Sequence, residues 1–524
     1  MWICQKPKAA TQFTMQSKRM SLGIYAGLKL LQALIVIAVL TAFFDAAAAD
    51  TPPHSKPLDV IALDKFISNQ VARHRIPGLA VAITGGDQIV FVRGYGQAQD
   101  RLPVTEKTPF RIASLSKSFT AMAVLQLVEA GHIELDAPIA RYLPDFALAT
   151  PLQAESITVR QLLNHTSGLA DTGFVAGLNG QQKTLVDRVA SLRAASTIDQ
   201  VGTAFNYFDP NYQILARLVE VVSAQAFDAY LQQHIFTPLD MQDSISSVRS
   251  ELPVWPGHVV AQGHIMIYGV AVARPELSGF LGGSGGVLTT AADMAHYLIA
   301  QGNHGNYSGR SVLSANSISL MQTPPAGVES VYAMGWAVAD LNGTRTIEHN
   351  GVLSTFYADA VLLPESGYGL VLLYNAYALS AATLAFPEIK NGVVAILLGT
   401  TPRRGKLTMP WFGAGIAALS VLIIGLMIWR PRRLRSQSQD SNLSGWKRAW
   451  GWFWPIAPAL LLLALPRLLA LQTGRYFELH MLARAMPELI ILLLVTAALG
   501  LIAFLVRLVN MTQERVRGGE VPSS

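Results

Sequence analysis

Cysteine is almost absent: the only one in 524 residues is Cys4, close to the N-terminus. A disulfide framework, a cysteine-rich zinc cluster and a cysteine nucleophile are therefore excluded for everything that follows it. Histidine does not take over as a metal ligand, because His132, His234 and His264 are scattered without ligand spacing. A phosphate loop is missing as well. Gly282-Gly-Ser-Gly-Gly286 is glycine-rich, yet no Gly-Lys-Ser/Thr follows, so it reads as a turn rather than a nucleotide site. No metal and no cofactor are expected.

Acidic residues are scarce at both ends. Residues 1–49 carry 5 basic and 1 acidic side chain and residues 401–524 carry 15 and 5, leaving 20 basic against 28 acidic between them. The overall charge of +6 thus belongs to the ends, which points to membrane flanks rather than a nucleic-acid surface. At the N-terminus, Lys18, Arg19 and Lys29 precede an apolar run from Leu30 to Phe44, and Ala47-Ala-Ala49 supplies small residues for cleavage. Residues 1–49 accordingly read as an export signal peptide, with an uncleaved N-terminal anchor as the alternative. After Arg404 come three long apolar runs, 411–429, 453–471 and 489–506, each long enough to cross a bilayer core of about 30 Å. Arg430, Arg432, Arg433, Arg435, Lys447 and Arg448 crowd the first connection, whereas the second carries only Arg475 and Arg484. The positive-inside rule therefore puts the first connection and the C-terminus in the cytoplasm. Residues 50–400 fall outside, periplasmic or extracellular, as an export signal also requires.

Between the flanks the pattern is mixed. Helical spacing from Leu58 to Arg75 stops at Ile76-Pro77-Gly78, and β-rich runs at 79–84 and 88–92 flank a Gly85-Gly-Asp87 turn. A mainly helical stretch follows from about 150 to 325, with a clear amphipathic helix at Tyr212–Val222. Strand patterns return at 333–339, 344–349, 357–363 and 369–374, and a helical segment over 376–398 closes the domain. The simplest packing is an α+β fold: an antiparallel sheet assembled from both ends of residues 58–400, flanked by helices, with a largely helical insert and three C-terminal transmembrane helices.

The chemistry centres on Phe110-Arg-Ile-Ala-Ser-Leu-Ser-Lys-Ser-Phe-Thr120. Ser114 and Lys117 are three apart at the start of an apolar helix, so the hydroxyl and the amine can share a hydrogen bond. A serine hydroxyl needs a neighbouring base to become a nucleophile, and a lysine serves only if its pKa is lowered. A second acid/base group is available in Phe205-Asn-Tyr-Phe-Asp-Pro-Asn-Tyr212, where Tyr207 and Tyr212 are both candidates. His349-Asn350-Gly351 offers a polar side chain and a glycine at which substrate can approach a strand.

These segments resemble the serine β-lactamase and penicillin-binding-protein superfamily, in its branch of class C β-lactamases, D-alanyl-D-alanine carboxypeptidases and related esterases. The resemblance rests on Ile76-Pro-Gly78, Phe110–Thr120, Leu162-Leu-Asn-His-Thr-Ser-Gly-Leu169, Phe205–Tyr212, Pro238-Leu-Asp-Met241, Gly285-Gly286 and His349-Asn-Gly351, in family order over residues 58–400. It implies Ser114 as acylated nucleophile, Lys117 as its proton partner and Tyr207, in preference to Tyr212, as general base. It also implies that His349 and Gly351 border a substrate carboxylate, and that the N–H groups of Ser114 and Val352 form an oxyanion hole. His165 is expected to be structural.

One position departs from the family pattern. Tyr207-Phe208-Asp209 stands where Tyr-x-Asn is usual, and an ionised aspartate accepts hydrogen bonds but cannot donate to a substrate carbonyl. Asp209 is therefore expected to hold Lys117 in its charged state, to meet a substrate amine, or simply to start the next helix. The sequence reads as a membrane-anchored serine hydrolase for a peptide, amide, ester or β-lactam, with cell-wall peptide among the candidates, and efficient β-lactam hydrolysis is disfavoured by Asp209. The alternatives are a penicillin-binding-like sensing module with little turnover and a hydrolase attached to a transporter.

Overall fold

The computed structural model describes residues 58–174, 182–251, 255–341, 343–434 and 445–518. The N-terminal leader and most of the basic 430–450 connection lie outside the described residues. Helix α1 (Val60–His74) begins where the Asp59 carboxylate accepts from the Ala62 N–H at 2.9 Å, and it ends at Arg75 in the left-handed region, just before Pro77. Strands β1 (Gly78–Gly85), β2 (Gln88–Gln99) and β3 (Leu102–Pro103) follow. The C-terminal half contributes β4 (Ala337–Leu341), β5 (Thr344–Val352), β6 (Tyr357–Leu363) and β7 (Tyr368–Tyr374). Together they form one seven-stranded antiparallel sheet in the order β4-β5-β6-β7-β1-β2-β3. The two ends of the domain meet at β7–β1, with Leu79 opposite Tyr374 and Thr84 opposite Gly369.

Both faces of this sheet are buried, and the alternation of side chains assigns each a different core. Ala80, Ala82, Ala358, Ala360, Val371 and Leu373 face one core, while Leu79, Val81, Ile83, Val361, Leu370 and Leu372 face the other. The second face is covered by α1 and by the long helix that closes the domain, Leu379–Leu397. The alanine-rich face admits closer helices: α2 (Ser116–Glu129), α3 (Asp209–Ser223) and α4 (Ala291–Gly302) all pack into its core. Most of the expected elements are present. The strand expected at 333–339 starts only at Ala337, because Gly335 takes a φ of +83° and lies against the backbone of Lys117 and Ser118.

Beyond the domain, α5 (Met409–Leu434), α6 (Gly445–Thr473) and α7 (Pro487–Gly518) contain three stretches long and apolar enough to cross a membrane, of 21, 19 and 23 residues. The turn of a small hairpin, His264–Ile267 with Val270–Ala273, sits against the starts of two of them. The Tyr268 N–H donates to the Glu488 carboxylate at 2.8 Å, and Gly413 lets α5 pass close to the Tyr268 carbonyl. These contacts set the connection 474–486 beside the domain's active face.

Candidate active site

Ser114 lies in a 3-10 turn, Ala113–Leu115, that runs directly into α2. Ala113 takes a φ of +50°, an uncommon conformation for a residue with a Cβ and one that recurs at functional turns. Lys117 is completely buried, and its ammonium donates to Ser114 Oγ at 3.0 Å, to Asp209 Oδ1 at 2.6 Å and to the Ser284 carbonyl at 2.8 Å. The glycine-rich turn expected at 282–286 thus has a defined task. Its carbonyls receive Lys117 and, from Gly283, the Thr120 hydroxyl at 2.6 Å.

Burial by itself would depress the Lys117 pKa, but the facing Asp209 charge and the Asp209 and Tyr207 hydrogen bonds outweigh it and hold it above the ordinary lysine value. The Asp209 carboxylate thus favours the ammonium form of Lys117, the opposite of the lowered pKa that the sequence reading asks of a lysine base. Asp209 is held far below the usual carboxylate range; burial opposes this, and the Lys117 and Arg475 charges overcome it. Asp209 is the first residue of α3, whose N-cap is Phe208, and its carboxylate accepts from Lys117 and Arg475. Two of the three expectations for Asp209 are met in the geometry: it pairs with Lys117, and it starts α3.

Tyr207 lies beside this pair, with Lys117 Nζ 4.9 Å from its ring centre. The other candidate, Tyr212, is fully buried and donates its hydroxyl to the Leu163 carbonyl at 2.8 Å, so it is a structural residue. His165 is buried beneath the site, 4.5 Å from the Tyr207 ring between centres. Its Nδ1 accepts from the Phe208 N–H at 3.2 Å and faces Asn211 Nδ2 at 3.1 Å, which fixes the turn that presents Tyr207. Burial, with Lys117 nearby, drives its pKa well below the usual imidazole value, so it stays neutral.

His349 is also buried, and its Nδ1 donates to the Asn350 carbonyl at 2.6 Å. Burial and the Lys117 charge push it down to about 4. At neutral pH it brings no positive charge to a substrate carboxylate, unlike a lysine at that place. Gly351 allows β5 to pass directly over the Ile112 carbonyl, just before the turn that carries Ser114. β4 pairs with β5 only as far as Glu348, so His349–Val352 is paired on the β6 side alone. Ser114, Asp209, Ser284 and Val352 line one cavity of about 360 Å³; Lys117, Tyr207, His349 and Gly351 are not among its lining residues.

The cavity has a wall that the sequence reasoning did not foresee. Arg475, Tyr476, Glu478, His480 and Met481, from the connection between α6 and α7, line it together with Ser114. Arg475 donates to Asp209 Oδ2 at 2.9 Å and to the Tyr207 carbonyl at 3.2 Å, and it pairs with Asp171 at 2.9 Å. Asp171 also accepts from the Tyr476 N–H at 3.0 Å. Asp209 reads from the sequence as a partner for Lys117 or a substrate amine, and not as a sign of a second protein cation. Nothing in the sequence said where it would come from.

The sheet with its helical insert and the Ser114–Lys117–Tyr207 cluster define the class: a serine-hydrolase fold of the penicillin-binding type. The chain belongs to the Beta-lactamase family, which matches residues 63–391. It is 30% identical over 341 residues to Penicillin-binding protein 4 of Amycolatopsis lactamdurans, covering 62% of this chain and 87% of that protein. It is 25% identical to Protein flp of Staphylococcus aureus, covering 60% of this chain and 62% of that relative's length. Among solved structures it is similar to the octameric penicillin-binding protein homologue from Pyrococcus abyssi, with a TM-score of 0.55, 27% identity and coverage of 66% and 78%. The D-amino acid amidase from Ochrobactrum anthropi shares the fold, with a TM-score of 0.54 at 23% identity over 64% of this chain and 99% of that one.

Proposed function

We propose that this chain is a membrane-anchored serine hydrolase that works outside the cytoplasm through an acyl-enzyme on Ser114. The observation that carries the reading is the 3.0 Å hydrogen bond from Lys117 Nζ to Ser114 Oγ, with Tyr207 alongside. Tyr207, acting as a phenolate, takes the Ser114 proton as Oγ attacks the substrate carbonyl, and the Ser114 and Val352 N–H groups receive the oxyanion. Tyr207 then returns that proton to the leaving amine or alcohol, and the acyl-enzyme forms. Water, deprotonated by Tyr207, releases the acid and restores Ser114. Lys117 and Arg475, 4.9 and 5.0 Å from the Tyr207 ring centre, keep positive charge facing the group that carries the proton.

The substrate is a peptide, amide or ester in preference to a β-lactam, because Asp209 cannot donate to an acylamide carbonyl as asparagine does. Relatives named as penicillin-binding proteins and a solved amidase of the same fold support acyl chemistry on small molecules or peptides. Ser114→Ala is expected to lower hydrolysis of an activated ester about 10⁶-fold, the scale of loss when a serine hydrolase loses its nucleophile. Undiminished turnover by the variant would overturn the reading. Ligand capture without turnover in wild type would favour the sensing module instead.

The sidedness rests on the sparse charge of 472–488 and on the placement of Arg475 next to Asp209. With Cys4 replaced by serine, a membrane-impermeant maleimide should label Gln472→Cys in intact cells and Asn442→Cys only after lysis. The reverse pattern would invert the topology.

A further inference from the structure

The connection between α6 and α7 could be a plain tether, yet it brings an arginine 266 positions along the chain from Asp209 into direct contact with it. Its partners are charged. Asp209 sits between Lys117 and Arg475, Asp171 also pairs with Arg475, and Arg188 lines the same cavity. An asparagine at 209 would leave Arg475 with one anion fewer. The unusual aspartate and the loop arginine therefore read as one unit. A guanidinium has five N–H donors in a rigid fork. Two are in hydrogen bonds among the described residues, one Nη1 hydrogen with the Tyr207 carbonyl and one Nη2 hydrogen with Asp209, while Nε faces Asp171 as an ion pair at 2.9 Å. Nη1 and Nη2 each keep a second hydrogen, on a side chain that is 31% exposed and lines the same cavity as Ser114.

We infer that Arg475 is a specificity-determining residue of the hydrolase: the loop between two apolar helices delivers it to Asp209, and it supplies the hydrogen-bond donor for the substrate's acyl-side carbonyl that the asparagine-to-aspartate difference removes. The inference rests on the acyl-enzyme reading and extends it. The membrane portion then completes the active site instead of only holding it at a surface. The substrate it fits is an N-acylated amino-acid or peptide ester or amide, whose acyl-side carbonyl lies within reach of the guanidinium. Lysine is a poor replacement, since one ammonium cannot hold Asp209, Asp171 and the Tyr207 carbonyl with the same geometry.

The test uses the full-length protein in detergent and two nitrophenyl esters. One is the ester of N-acetylglycine, which has an acyl-side amide carbonyl, and the other is the ester of acetic acid, which lacks one. Arg475→Ala is expected to lower kcat/KM for the N-acetylglycine ester about 10²-fold, the scale for loss of one aimed donor, and to affect the acetate ester far less. Arg475→Lys should recover little, whereas adding Asp209→Asn to Arg475→Ala should restore most of the preference. If Arg475→Ala does not fold, Arg475→Gln, which keeps an amide donor, should retain part of the preference. Equal slowing of both esters, no slowing, or faster turnover as from a removed plug would overturn the inference while Ser114 still reacts. A wild type that acylates with neither ester would instead sink the acyl-enzyme reading, and this inference with it.

Discussion

At position 209 a carboxylate stands between two cations, and that placement decides which protons move. Lys117, raised above its ordinary pKa, contributes stability that is fully present below about 10.5 and is lost only as pH rises through its folded value. Asp209, depressed, contributes above about 4 and loses its effect only as pH falls further. Lys117 is buried and Asp209 about one-third exposed, so removing one partner costs less than the roughly 3–5 kcal/mol of a fully buried pair. One group that titrates between pH 4 and 6.5 is His349. Its folded pKa of about 4 lies below the ordinary 6.5, so its neutral form stabilises the fold fully above 6.5, and that contribution is lost as pH falls toward about 4. The shift corresponds to on the order of 3 kcal/mol. Asp359, pushed up to about 6 by burial, titrates in the same window with the opposite sign. The measurement is therefore a difference: between pH 7 and pH 4, wild type should lose about 3 kcal/mol more stability in urea unfolding than His349→Asn. Parallel curves would contradict it. Ser114 and Lys117 were legible from a spacing that chemistry explains, whereas Tyr207 was told from Tyr212 only by the family resemblance. Arg475 was visible only as one of two basic residues in a sparse connection, since no local pattern encodes a partner 266 positions away.

At the scale of elements, the site depends on how closely β5 passes the nucleophile turn. A methyl group at Gly351 would run into the Ile112 carbonyl and touch Ala113, so Gly351→Ala must push the strand away from Ser114. Displacements near 1 Å at a catalytic centre cost about 10²-fold, and overpacking costs roughly 1–3 kcal/mol. Gly351→Ala should therefore slow reaction with a fluorophosphonate by 10–100-fold and lower the melting temperature by several degrees. Unchanged labelling would show that β5 does not set the geometry. The helices at Val60–His74, Asp209–Ser223 and Ala291–Gly302 were readable from apolar spacing, and β6 at Tyr357–Leu363 from its bounded apolar run. Two local features escaped that reading. The positive φ of Ala113 makes a 3-10 turn where spacing implied a continuous helix, and Gly335 turns an apolar stretch under α2 instead of extending β4. Both are imposed by tertiary contacts and not by hydrophobic period.

For the whole molecule, the α+β sheet built from both chain ends follows from the order of elements, and three long apolar helices follow from composition. How these helices relate to the hydrolase does not follow from either. A hairpin turn at Tyr268 meets Glu488, and the next connection reaches Asp209, so the apolar helices and the catalytic face are joined at two places. A domain cut off near residue 400 would lose Arg475 and the cavity wall from Tyr476 to Met481. The central claim is that Ser114 of the intact chain is an activated nucleophile. Intact-mass analysis of the full-length protein after exposure to a fluorophosphonate, with Ser114→Ala run beside it, tests that claim most directly. The account predicts a gain of one adduct in wild type and none in the variant; wild type without an adduct, or equal adducts in both, would contradict it.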